Sequence, residues 1–127
     1  MSRWTQKELD AIDAAQELTL ASARGDGTLR RPVTMWVVCI GEDVYVRSVN
    51  GRESAWFRGA QIRHEARVRA AGVEKDVSLI DTDEAGDQID AAYQTKYGDR
   101  YPTIVPSIVA PQALVATLKL TPREEET

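Results

Sequence analysis

Short apolar runs separated by turn signals only two or three residues long constrain this chain most strongly. Gly25-Asp26-Gly27, Gly41-Glu42-Asp43 and Ala71-Gly72 each stand between stretches rich in strand-forming residues. Connections that short join antiparallel neighbours, because a parallel pair needs a crossover of about a dozen residues or more. The predicted strands are residues 18–23, 31–40, 44–49, 66–70, 73–80 and 114–120. The first and last alternate in polarity with period two, as half-covered strands do. Residues 31–40 are apolar on both faces, which predicts a central strand with Pro32 at its start, where no ladder donor is needed. The expected fold is mainly β with α (an α+β fold), a small antiparallel split β-barrel of about six strands with three helices.

Thr5-Gln6-Lys7-Glu8 is a capping box, and Trp4 with Leu9 occupies the two positions of a hydrophobic staple. A helix over 6–16 follows, with Leu9 and Ile12 inward. Asn50, three residues ahead of Glu53, predicts the cap of a second helix that turns Trp56, Phe57, Ala60 and Ile62 to the core. A third helix spans 82–97: Ala85, Ile89, Ala92, Tyr93 and Lys96 recur at helical spacing, and Lys96 complements the negative end of its dipole. Pro102, Pro106 and Pro111 make 99–112 a loop and a candidate lid. If Ala71-Gly72 is a two-residue turn, Arg69 faces Glu74 and Arg67 faces Asp76, and both arginines are structural. Residues 1–127 are expected to form one domain with an ordered core over 4–121 and a disordered tail at 122–127.

Composition narrows the function by exclusion. No run approaches the ~18 apolar residues of a membrane span, and the N-terminus carries no apolar signal segment. A cytoplasmic, non-membrane protein is expected. Cys39 is the single cysteine and His64 the single histidine, so neither an internal disulfide nor a histidine-rich metal site is available. No phosphate-cradling glycine loop, dinucleotide fingerprint or nucleophile elbow is present. The net charge of −4 argues against a nucleic-acid partner. It also hides a division, because residues 24–69 hold nine arginines, no lysine and five acids. Guanidinium forks match phosphate or carboxylate, so a small anionic ligand fits this middle segment. The pairs Asp10/Asp13 and Asp87/Asp90 read as solvated helix faces rather than an acid–base dyad.

Arg30-Arg31-Pro32-Val33-Thr34-Met35-Trp36 and Val46-Arg47-Ser48-Val49-Asn50-Gly51-Arg52 lie on hairpin neighbours in this reading, followed by Ser54, Trp56 and Phe57. Arg47 and Ser48 end a strand just before a helix start, where free amides favour an anion. Arg52 and Ser54 can add donors, and Trp36 and Trp56 offer flat apolar surfaces. Such a set fits a flavin or nucleotide pocket. It also fits a purely structural reading, with both tryptophans in the core and Asn50 only a cap.

The strings 27–38, 44–52 and 56–58 resemble the FMN-binding split-barrel superfamily, with its pyridoxamine-phosphate-oxidase-like and deazaflavin-dependent nitroreductase-like members. The opening Trp…Glu-Leu-Asp helix, Gly72–Val77 and Ala92–Gly98 resemble a small bacterial family of unknown function within it, over about 4–121. The resemblance implies a homodimer with flavin in the cleft between two barrels. Its phosphate positions map onto Arg30, Arg31, Pro32, Val33 and Thr34, then Arg47 and Ser48, then Ser54, Trp56 and Phe57. FMN or deazaflavin would be the cofactor of a reductase acting on a small organic molecule, with Trp36 or Trp56 against the ring. Hydride chemistry then belongs to the cofactor and needs no side-chain triad. Tyr93, Tyr97 and Tyr101 are candidates to close over substrate. The alternative is a split barrel without cofactor, serving as a binding or accessory protein for another small anionic ligand.

Overall fold

In the computed structural model, which describes residues 3–123, seven strands form one sheet in the order β2-β1-β5-β6-β7-β4-β3. The strands are β1 (Leu18–Ser22), β2 (Val33–Met35), β3 (Val38–Ile40), β4 (Asp43–Arg47), β5 (Glu65–Ala70), β6 (Val73–Asp81) and β7 (Thr117–Pro122). Every pairing is antiparallel. Five α-helices accompany them: α1 (Gln6–Ala14), α2 (Ala55–Arg63), α3 (Gly86–Tyr97), α4 (Val105–Ile108) and α5 (Pro111–Leu114).

The seventh strand arises because residues 31–40 are not one central strand. They break at Trp36-Val37, and the halves become the two outer strands of the sheet. Laid flat, seven strands would span roughly 28 Å at the usual ~4.8 Å spacing. Yet the chain from Met35 to Val38 reaches only ~10 Å, so the sheet must curl until its edges meet. The segment is apolar on both faces because its successive residues serve different cores: Met35, Val37 and Cys39 pack on one, Trp36, Val38 and Ile40 on the other. Val37 joins Val44, Val46, Leu18, Leu20 and Phe57 in one cluster, while Val38 joins Tyr45, Ile89, Tyr93, Tyr97, Val105 and Ile108 in the other.

α1 begins as its sequence predicts: Thr5 accepts from the Glu8 amide at 3.1 Å, and Glu8 accepts from the Thr5 amide at 2.9 Å. Trp4 and Leu9 are buried, and the Trp4 indole donates to the Leu120 carbonyl at 2.9 Å, tying α1 to β7. The β5–β6 register places Arg69 opposite Glu74 and Arg67 opposite Asp76, each ion-paired. Ala71 and Gly72 both have positive φ, as the tight hairpin turn requires.

Several boundaries differ from expectation. The third helix begins at Gly86 rather than 82. The proline-rich 99–112 segment carries α4 and α5, since Pro106 and Pro111 fall in first turns, where a missing N–H leaves no hydrogen bond unmade. Ile62 points to solvent at 60% exposure while Phe57 and Ala60 are buried, because α2 offers the sheet a narrow stripe. The last strand starts at Thr117, and Pro122 belongs to it, buried; residues 124–127 of the expected tail lie outside the described residues. Among the described residues no helix is long and apolar enough to cross a membrane.

Candidate functional site

The break at Trp36-Val37 would leave backbone groups unpaired, and α3 supplies their partners. The Val37 amide donates to the Tyr97 hydroxyl at 3.1 Å. Lys96 Nζ donates to the Val37 carbonyl at 2.8 Å and to the Ile12 carbonyl at 3.4 Å. The Tyr97 hydroxyl donates in turn to the Gln16 carbonyl, 2.9 Å away. Burial lowers the Lys96 pKa and raises that of Tyr97 to about 12, so the phenol stays protonated. Lys96 therefore does more than complement a helix dipole.

Trp36 lies flat on Tyr97, with ring centroids 4.2 Å apart and planes within 4°. Tyr101 leans against it at 5.2 Å. The indole thus forms one wall of a groove of about 350 Å3. Val33, Thr34 and Met35 of β2 also line it, together with Glu17, Arg47, Ser48, Val49, Asn50, Trp56 of α2, and Ile104 and Ile108 at α4. Trp56 packs edge-on against Phe57 at 5.7 Å. Of the tyrosines, Tyr93 and Tyr97 are fully buried and only Tyr101 reaches the surface partly.

Val33, Thr34, Trp36, Arg47, Ser48 and Trp56 therefore line one cavity. The other expected site residues lie elsewhere. Phe57 is 0% exposed within the first core, beneath the Arg52 guanidinium at 5.0 Å. Arg31 and Pro32 are exposed on the approach to β2. Arg30 turns to α2, where its Nε is buried without a partner and lies 2.8 Å from where a Gly59 Cβ would sit. Ser54 caps no amide; its hydroxyl pairs with that of Ser48 at 2.7 Å beside the open N-terminus of α2. Arg52 is engaged by the Val115 carbonyl at 2.9 Å and by Asp81 at 3.2 Å.

Arg47 is the site residue most fully engaged by other protein groups. Its side chain is fully buried, on the same sheet face as Tyr45, two residues earlier. Nε donates to Thr117 Oγ1 at 3.0 Å, and Nη2 donates to the Gly86 carbonyl at 3.2 Å. Nη1 donates to the Ile108 carbonyl at 3.2 Å and to the Asp90 carboxylate, which forms the ion pair. Four of its five N–H donors are thus engaged within the protein, which leaves no two-pronged fork for a phosphate. Asp90, expected on a solvated helix face, is the counter-ion, and Arg47 hides that role by having no sequence pattern of its own. Ile104 and Ile108 were equally hidden, inside a segment whose prolines read as loop.

Cys39 sits on the far side of β3, and burial pushes its thiol up to about 11, which makes it inert. His64, at the end of α2, hydrogen-bonds through its ring to Gln61 at 3.2 Å. Among the described residues no three or more His, Cys, Asp or Glu side chains gather as a metal site.

A family model described as "Uncharacterized protein conserved in bacteria (DUF2255)" matches residues 8–120. The chain belongs to this family. No curated protein matches the sequence. Solved structures share the fold at low identity. HutZ, the heme storage protein from Vibrio cholerae, matches with a TM-score of 0.64 at 12% identity over 97% of this chain and 92% of its own. A FAD-binding protein from Mesorhizobium loti matches with a TM-score of 0.59 at 17% identity over 95% and 91%. An F420 reductase matches with a TM-score of 0.54 at 18% identity over 90% of each chain. At these identities the similarity establishes the split-barrel fold of this DUF2255 member.

Proposed function

We propose that the groove binds the flat heteroaromatic ring of a flavin or deazaflavin, and that the protein is a reductase of a small organic molecule. The observation that carries this reading is the pair Trp36 and Trp56 lining one cavity beside the Ser48–Ser54 hydroxyl pair and the uncapped start of α2. Stacked on Tyr97, the Trp36 indole is a fixed plate against which a ring packs without reordering the site. The ligand's phosphate fits the α2 amides and Ser48, with exposed Arg31 as the cation within reach instead of Arg47. The names of two neighbours, a FAD-binding protein and an F420 reductase, favour the same ligand class. The bound cofactor would supply hydride transfer, while the protein orients the ring and excludes water. A second copy of the chain closing the open side of the groove, over exposed Val49 and Ile104, completes the reading.

A second reading, a cofactor-free binding protein, draws on the commitment of Arg47 to Asp90, which leaves the groove without an unpaired arginine. An absorbance spectrum of the purified protein and fluorescence titrations with FMN and deazaflavin separate the two. A flavin band or saturable micromolar binding is expected, weakened at least tenfold by Trp36→Ala. A colourless protein that ignores both compounds favours the second reading.

A further inference from the structure

We propose that α4 is a movable wall of the groove, and that the Arg47–Asp90 pair is the clasp that holds it shut. This rests on the groove being the ligand site, but the structural part stands without a ligand. α4 belongs to no sheet and is four residues long, so the helix itself contributes little to its own placement. Its placement comes from Val105 and Ile108, buried against α3, and from the Ile108 carbonyl held by Arg47. The same guanidinium reaches three further points: Gly86 and Asp90 of α3 and Thr117 of β7. One side chain of β4 thus joins the sheet, α3 and α4 at a single point. Ile104, just before α4, and Ile108 within it line the groove, so release of that helix opens the groove there.

The two halves of the pair differ in access to solvent. The Arg47 side chain is 0% exposed and that of Asp90 is 30% exposed. A guanidinium without solvent keeps its geometry only while its counter-ion is present. Asp90 is the partner that water and solutes can reach, which makes it the release point. The Tyr93 hydroxyl, buried beside Arg47 and without a hydrogen-bond partner, offers no replacement anion, since burial holds the phenol protonated. Asp90 is thereby a positioning residue acting on the ligand site through Arg47 and the Ile108 carbonyl.

Amide hydrogen exchange on the full chain tests this without any ligand. Asp90→Asn and the apolar pair Arg47→Leu/Asp90→Leu both remove the ionic clasp, and the second avoids a buried unpaired charge. Exchange over 104–116 is expected to accelerate at least tenfold in both, with the β5–β6 amides unchanged. Equal acceleration in both regions, or none in either, overturns the clasp. Riboflavin then connects the wall to the site: its association rate is expected to rise several-fold in Asp90→Asn. An unchanged rate with accelerated exchange overturns the gating role. Failure of the unaltered protein to bind riboflavin counts instead against the ring-binding reading, and the exchange result still decides the clasp.

Discussion

The β5–β6 hairpin and the segment from Val33 to Arg47 are built from similar residues and assembled on opposite logics. Within the hairpin, β5 and β6 pair as close neighbours in sequence: one two-residue turn aligns six residue pairs and both arginine–carboxylate bridges. In the second segment neighbours in sequence are separated in the sheet. β2 and β3 lie at its opposite edges, and long-range partners hold the break between them: Tyr97 and Lys96 for the backbone, Asp90 for Arg47 at the end of β4. Local pairing makes the hairpin self-aligning. Remote pairing makes the other region a cavity whose walls come from five parts of the chain.

That contrast can be broken by single substitutions. Tyr97→Phe removes the acceptor of the buried Val37 amide and is expected to cost ~1–3 kcal/mol, the range for a buried donor left unmatched. Chemical denaturation should show the loss, and Trp36 fluorescence should report the loosened stack. Next in size is an alkaline effect confined to the same region. Burial favours the neutral forms of Cys39 and Tyr97 in the folded protein, so the folded state holds their protons more tightly than the unfolded chain. Their stabilisation is complete below pH 9.0 for Cys39 and is lost as pH rises through about 11. For Tyr97 the window runs from 10.0 to about 12. Thermal melts should therefore fall across this range, and Cys39→Ala should flatten the lower part of the decline. The smallest change belongs to the hairpin: Arg69→Ala removes an exposed bridge and should alter stability by less than ~1 kcal/mol, read by denaturant midpoint. A loss from Arg69→Ala that matched that of Tyr97→Phe would refute the distinction between the two regions.

The same contrast explains what could be read before any coordinates. The capping box at Thr5 and Glu8, the turn at Ala71-Gly72 and the facing of Arg69 with Glu74 are consequences of residues at most five apart, and the sequence displays them directly. The antiparallel curl followed from turn lengths alone. The break at Trp36-Val37 could not be seen, because a strand covered on both faces and a strand shared between two cores have the same apolar pattern. Arg47 suggested an anion site by residue type, and its true counter-ion lies 43 residues away on a helix face that looks solvated. Trp36, Ser48 and Trp56 were recognisable as groove residues because their chemistry and their turn context coincide. The isoleucines near α4 were not, since prolines conceal a helix only one turn long.

The position of β7 between β6 and β4 has a consequence for how the chain reaches this state. Until residues 117–122 are available, the β3–β4 hairpin has no strand neighbour beyond itself. The hairpins β1-β2, β3-β4 and β5-β6 can each zip early from local turns, but β3-β4 joins the rest of the sheet only when the strand at 117–122 inserts between β6 and β4. Such a late, long-range pairing is the slow kind of step in β-rich proteins. Folding should therefore pass its main barrier when β7 inserts. The groove, which borrows walls from both halves, comes into being in that same event.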